Sequence, residues 1–179
     1  KSVAGPAVDI QNVTITNAER AAVDNDTQSS VTFGDGAGND IHVGNVALTD
    51  TVTYADTLQA TDFSYAGGTW SVNTDTEGDD TLSDIEIVEH GGAGRFLLVG
   101  NGGFDTIQAA VDAAASGDTI LIAPGAYAEA VTIPAGKTGL TILGANYGVG
   151  HDGSRGAESS LEGGFIVFGD GATIDGFEI

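Results

Sequence analysis

The chain has 179 residues, 41% of them hydrophobic, and contains neither Cys nor Met. That length supports one sizeable core or two small ones, and the missing cysteines exclude a disulfide framework. With 26 Asp and Glu against 5 Lys and Arg the formal net charge is −21, and Lys1, Arg20, Arg95, Lys137 and Arg155 stand far apart, so nucleic acid and anionic membrane surfaces are not expected partners.

No apolar run reaches the roughly 18 residues of a membrane-spanning helix, which predicts no membrane insertion. The first residue is Lys1 and no signal peptide is legible, so the chain is expected to be a processed product or part of a longer polypeptide. Acid this dense repels itself unless salt screens it or bound cations neutralise it. Calcium is the cation that carboxylate and carbonyl oxygens suit best.

Taken in chain order, residues 1–17 come first. Val8, Ile10, Val13 and Ile15 alternate with polar residues across one skipped beat, and Ile174 to Ile179 near the C-terminus repeats the pattern. This predicts a β-helix-like coil, either the end of a preceding solenoid or a strand that pairs with a partner.

Residues 18–103 are predicted to form an acidic, antiparallel β connector. Short alternating runs such as Thr51–Tyr54, Thr69–Val72 and Arg95–Val99 are separated by Asp-rich loops. Two of those loops are candidate calcium sites. Gly34 to Val43 partly fits a glycine-aspartate nonapeptide, with Gly36, Gly38 and Asp40 in place. It departs where Asp35 replaces a Gly and where His42 takes an inward aliphatic position; an Asx-rich turn is the alternative for this stretch. In the second, Asn73, Asp75, Glu77, Gly78 and Asp84 carry the spacing of an EF-hand-like loop, with Asp84 in place of the usual Glu and no helical flanks. An exposed acidic turn is the alternative there.

His42, His90 and His151 are widely separated and make no HxxxH or HxH pair, so no zinc site is expected. Tyr54, Phe63, Tyr65 and Trp70 can serve either as a sugar-stacking platform or as core. His151, Asp152 and Arg155 are the one place where His, acid and Arg fall together; no lyase, esterase or serine-hydrolase motif accompanies them.

Residues 104–179 are predicted to open with a helix. Asp105 with Gln108 resembles a capping box, Ile107, Ala110, Val111 and Ala114 keep helical spacing, and Gly117 is the stop. Strands follow at Thr119–Ala123, Ala130–Ile133, Leu140–Leu143, Phe165–Phe168 and Thr173–Ile179. Short strands fronted by one helix describe a stacked solenoid with its cap.

The run Phe104 to Tyr127, with Val131 to Ile133 behind it, resembles the opening of right-handed parallel β-helices of the pectin-lyase-like superfamily. Asp50–Asp56 followed by Asp80–Glu86 resembles segments of large RTX-type secreted proteins. The expected fold is therefore all-β: the start of a parallel β-helix with a short capping helix, plus the antiparallel connector. The resemblances imply a non-catalytic, calcium-stabilised structural repeat of an extracellular or cell-surface protein, an adhesin, surface layer or filament. Like subunits or neighbouring repeats are the expected partners, with polysaccharide a further one. The alternatives are the N-terminal part of a β-helix polysaccharide lyase or epimerase, and a glycan-binding module.

Overall fold

The computed structural model describes residues 22–24, 30, 32–35, 38–100, 102–150 and 152–179. The coil expected at 1–17 lies outside the described residues. Among the described residues the regular elements are strands, apart from one seven-residue α-helix and a 3-10 turn at Ala60–Asp62, so the fold is all-β.

The first strands are three residues long: β1 (Ala22–Asp24), β2 (Thr32–Gly34), β3 (Ile41–Val43) and β4 (Thr51–Thr53). β1 pairs with β3 in parallel, Ala22 against Ile41, and β2 pairs with β4 in parallel, Thr32 against Thr51. The chain thus steps from one sheet to the other and back, and returns beside itself after 19 residues in both sheets. The corners stack too, with Gly38 N–H donating to Glu77 O at 2.8 Å and Gly44 N–H to Ser83 O at 2.8 Å.

β5 (Phe63–Ala66) and β6 (Thr69–Asn73) then make a hairpin whose two linking residues, Gly67 and Gly68, both have positive φ, the conformation a tight two-residue hairpin turn requires. β6 runs antiparallel to β7 (Asp79–Ser83), and β7 rejoins β3 in parallel. β8 (Ile87–Glu89) likewise rejoins β4.

The antiparallel connector expected over 18–103 is therefore a mixed structure. Among the described residues only the β5–β6–β7 meander and the pairing of β8 with β9 (Phe96–Val99) are antiparallel. The cause is the range of the information. A hairpin is written in its own turn residues, whereas a parallel partner lies a whole return away and leaves no local mark.

β9 is the hinge of the topology. It lies antiparallel to β8 and parallel to β10 (Thr119–Ile122), within a seven-stranded sheet. All four of its residues are buried: Phe96 and Leu98 in one apolar cluster with Val52, Trp70 and Leu82, Leu97 and Val99 in the other with Ile107, Ile120 and Ile142. A strand covered on both faces reads as a continuous apolar run, which is what Phe-Leu-Leu-Val is.

Beyond it, α1 (Ile107–Ala113) buries Ile107, Ala110 and Val111, as the spacing predicts. Its N-cap is Thr106, one residue later than expected, with Thr106 Oγ1 accepting from Ala109 N–H at 3.1 Å. Gln108 does not close a capping box; it bridges to Thr132. Glu129 takes the free N–H groups of Ile107 and Gln108 instead, a donor-acceptor match from another loop that suits the positive end of the helix.

β11 (Gly125–Tyr127), β12 (Val131–Ile133), β13 (Thr141–Leu143), β14 (Ser159–Leu161), β15 (Phe165–Val167), β16 (Thr173–Asp175) and β17 (Phe177–Glu178) complete the chain. They pair in parallel as β10–β13–β16, β11–β14–β17 and β12–β15. The chain visits these three ladders in a fixed order.

Candidate metal centre

The inward beat of β3 and β7 is not wholly apolar. Ile41 and Asp79 face solvent, so alternation turns Asp40 and His42 inward on one strand and Asp80 and Leu82 inward on the next. The register sets Ile41 against Thr81 and so brings residues 40 and 80, far apart in the chain, side by side. Asp40 N–H donates to Asp80 Oδ1 at 2.7 Å. From the other sheet, Asp35 follows β2 directly and Tyr54 follows β4.

These residues close on one point. His42 Nε2 is 3.0 Å from Asp35 Oδ1, and the ligand-type atoms of Asp35, His42 and Asp80 all lie within 4.8 Å of one another. Asp80 is 1% exposed and the Asp35 side chain 0%. One oxygen on each of Asp35, Asp80 and Asp40 is buried without a hydrogen bond of ordinary geometry, and the buried Tyr54 hydroxyl, likewise without one, still interacts with the Asp80 carboxylate. Burial pushes the Asp80 carboxyl up to about 6, with the Asp35 charge adding to it and the Asp40 N–H opposing it. Burial, then the charges of Asp80 and Asp35, push the Tyr54 phenol far above its ordinary value. A buried carboxylate pair is costly unless a positive group sits against it; the basic neighbour in contact among the described residues is the His42 imidazole on Asp35 Oδ1, and the Asp35–His42–Asp80 group can hold a metal ion. A cleft beside it is lined by Phe33, Asp35, Thr53, Tyr54 and Glu77.

Scans against protein-family models, curated proteins and solved structures returned no match. The functional reading rests on this geometry.

Of the residues singled out in the sequence, Asp35 belongs to the group and Asp40 touches it through its backbone. Asp75, Glu77 and Asp84 do not gather in this way among the described residues. The Asn73 amide donates to Asp79, and Asp75 is exposed. Glu77 turns inward, where its two oxygens accept from Ala55 N–H at 3.1 Å and Asp56 N–H at 2.9 Å. Each oxygen of the carboxylate that the loop spacing offers to calcium thus accepts one backbone hydrogen bond. Asp84 sits at φ 54°, beside Asp50 and Glu86.

His42 and Asp80 are not among the candidate ligands the sequence offers. The signal was present as polar residues on the inward beat of Asp40-Ile-His42 and Asp79-Asp80-Thr-Leu, but only the register joins them.

A second acidic pair lies at the next corner. Glu86 is 5% exposed and accepts from Asp50 N–H at 2.7 Å. Burial and the neighbouring Asp50 charge push its carboxyl up to about 7 from 4.5. The folded state therefore binds this proton more tightly than the unfolded chain, so stability falls as pH rises from about 4.5 through 7 and does not recover above it. Gln in place of Glu86 keeps an oxygen for Asp50 N–H and removes the charge. E86Q is expected to raise stability at pH 8 by on the order of 1–2 kcal/mol and to leave pH 4.5 nearly unchanged. Urea unfolding of metal-free protein at both pH values measures it, and equal effects at the two would show that Glu86 does not titrate in this window.

Proposed function

We propose that this chain is a non-catalytic structural segment of an extracellular or cell-surface protein, a stack of parallel β-solenoid turns whose early turns are tied together by a bound cation. The observation that carries this reading is the buried Asp35–His42–Asp80 group, with an oxygen on each carboxylate that lacks a hydrogen bond of ordinary geometry. A cation there bridges the end of β2, strand β3 and strand β7, and so favours the stacked state over the unfolded chain.

The ordered visits to three parallel ladders after α1 support the parallel β-helix expected from the pectin-lyase-like resemblance, with the helix covering one part of its core. Ile166, Val167, Phe168 and Ile179 remain exposed on the last turns, a surface suited to a further turn or to a like unit stacking end to end. Calcium is the cation suited to the exposed acidic surface.

The alternatives have less behind them. Tyr54, Phe63 and Trp70 are 1%, 8% and 5% exposed, and the half-buried Tyr65 meets Trp70 edge-on at 5.1 Å, so these aromatics pack in or against the core. Of the His151, Asp152 and Arg155 constellation, His151 lies outside the described residues. Arg155 is committed to Glu158, at 2.7 and 2.8 Å, and to Phe177 O.

The test is thermal unfolding after exhaustive chelation and again with millimolar divalent cations. Occupancy at 100 times the dissociation constant is expected to raise the midpoint by about 5–10 °C. The same midpoint in chelator and in every divalent cation would remove the cation from the reading.

A further inference from the structure

The donor set at the buried site is not one that calcium favours. Calcium takes six to eight oxygen ligands at about 2.3–2.6 Å, whereas a four-coordinate borderline ion such as zinc takes nitrogen and oxygen donors at about 2.0–2.2 Å. Around such an ion, neighbouring donors stand roughly 3.3 Å apart in tetrahedral geometry. His42 Nε2 and Asp35 Oδ1 are already 3.0 Å apart. The Asp80 carboxylate is held in place by Asp40 N–H on Oδ1 while Oδ2 has no hydrogen bond of ordinary geometry, an outer contact that orients a ligand oxygen.

Charge calls for a divalent ion of either class. Among the described residues, the three Lys and Arg side chains are engaged elsewhere: Arg95 with Asp118, Lys137 with the carbonyls of Asp112 and Ala114, and Arg155 with Glu158. None neutralises Asp35 and Asp80. A divalent ion on two carboxylates and a neutral imidazole leaves the site with no net charge.

We infer that Asp35, His42 and Asp80 form a mixed nitrogen-oxygen site for a borderline divalent transition metal of the zinc or cobalt class, in preference to calcium. This rests on the reading of the buried group as a cation site and adds the identity of the ion. Three protein ligands leave a fourth position, for water or for the buried hydroxyl of Tyr54, which faces Asp80.

The experiment titrates chelator-treated full-length chain with Zn2+, Co2+, Ca2+ and Mg2+, following heat of binding, the thermal midpoint and the visible absorption of Co2+. The expected result is one equivalent of Zn2+ or Co2+ bound at least tenfold more tightly than Ca2+, with the intense visible bands of four-coordinate Co2+. H42Q is expected to weaken Zn2+ binding at least tenfold and to leave any Ca2+ response unchanged. D35N, which keeps the shape of the side chain and removes its charge, is the second variant should H42Q fail to fold, and is expected to weaken Zn2+ binding likewise. Stabilisation by Ca2+ with none by Zn2+ or Co2+ would overturn the assignment of the ion while leaving the cation bridge standing. No stoichiometric binding of any of the four would overturn both.

Discussion

Replacing Leu97 by Ala is expected to cost about 3–5 kcal/mol and to lower the midpoint reported by Trp70, although the two residues lie in different cores. Leu97 is fully buried against Ile107, Ile120 and Ile142, while Trp70 packs with Leu82, Phe96 and Leu98. The size of the loss is that of a buried Leu whose cavity does not collapse. The long reach follows from β9, whose successive residues feed opposite cores through one backbone. When Leu97 loosens β9, Leu98 and Phe96 lose their support on the other face. L98A, the mirror change, is expected to cost a similar amount. Trp70 is the sole Trp in the chain, so its fluorescence reports the first core, and far-UV circular dichroism reports the whole. Coincident transitions in L97A would establish one cooperative unit. A Trp70 midpoint that stays at the wild-type value would show that the cores unfold separately.

The second large effect is expected at Gly78. It has φ +114°, a region essentially closed to other residues, and a Cβ built there would sit 2.0 Å from Gly38 O. The clash is with backbone, so no side-chain rotation relieves it. The corners at 38 and 78 would have to separate, breaking the Gly38 N–H to Glu77 O bond and moving the starts of β3 and β7, which carry His42 and Asp80. G78A is expected to destabilise the chain by about 3 kcal/mol or more, combining backbone strain with the lost hydrogen bond. It is also expected to weaken metal binding, which makes it a probe of the site from a residue that is no ligand. Gly67 provides the contrast. It too has positive φ, at +62°, but nothing lies within 4 Å of its Cβ position, so G67A is expected to cost only about 1 kcal/mol and to leave metal binding unchanged. Equal losses in the two variants would show that φ alone, and not the stacking of corners, sets the cost at Gly78.

Much of this was legible in the residues alone. The all-β character follows from short Val, Ile and Thr runs between Gly and Asp corners, and α1 with its buried Ile107, Ala110 and Val111 follows from 3.6-residue spacing closed by Gly117. These are local patterns, and local chemistry decides them. Asp35 and Asp40 also stood out, because acids beside glycines are visible without a partner. What the tertiary structure alone decided is everything that depends on register. The parallel return of β3 onto β1 and of β4 onto β2 has no turn residue to announce it. The double-sided burial of Phe96–Val99 appears only once cores form on both faces of β9. Glu77, offered by its loop spacing as a ligand, turns inward and accepts from Ala55 N–H and Asp56 N–H, partners that lie 22 and 21 residues away and leave no mark in the loop. His42 seemed a solitary histidine until the pairing of β3 with β7 put Asp80 on the same inward face, one inward position along from its partner Leu82, and the corner after β2 brought in Asp35. A binding site built across strands is a property of which residues become neighbours, and in a parallel stack the neighbours are set by the length of each return and not by the residues on either side.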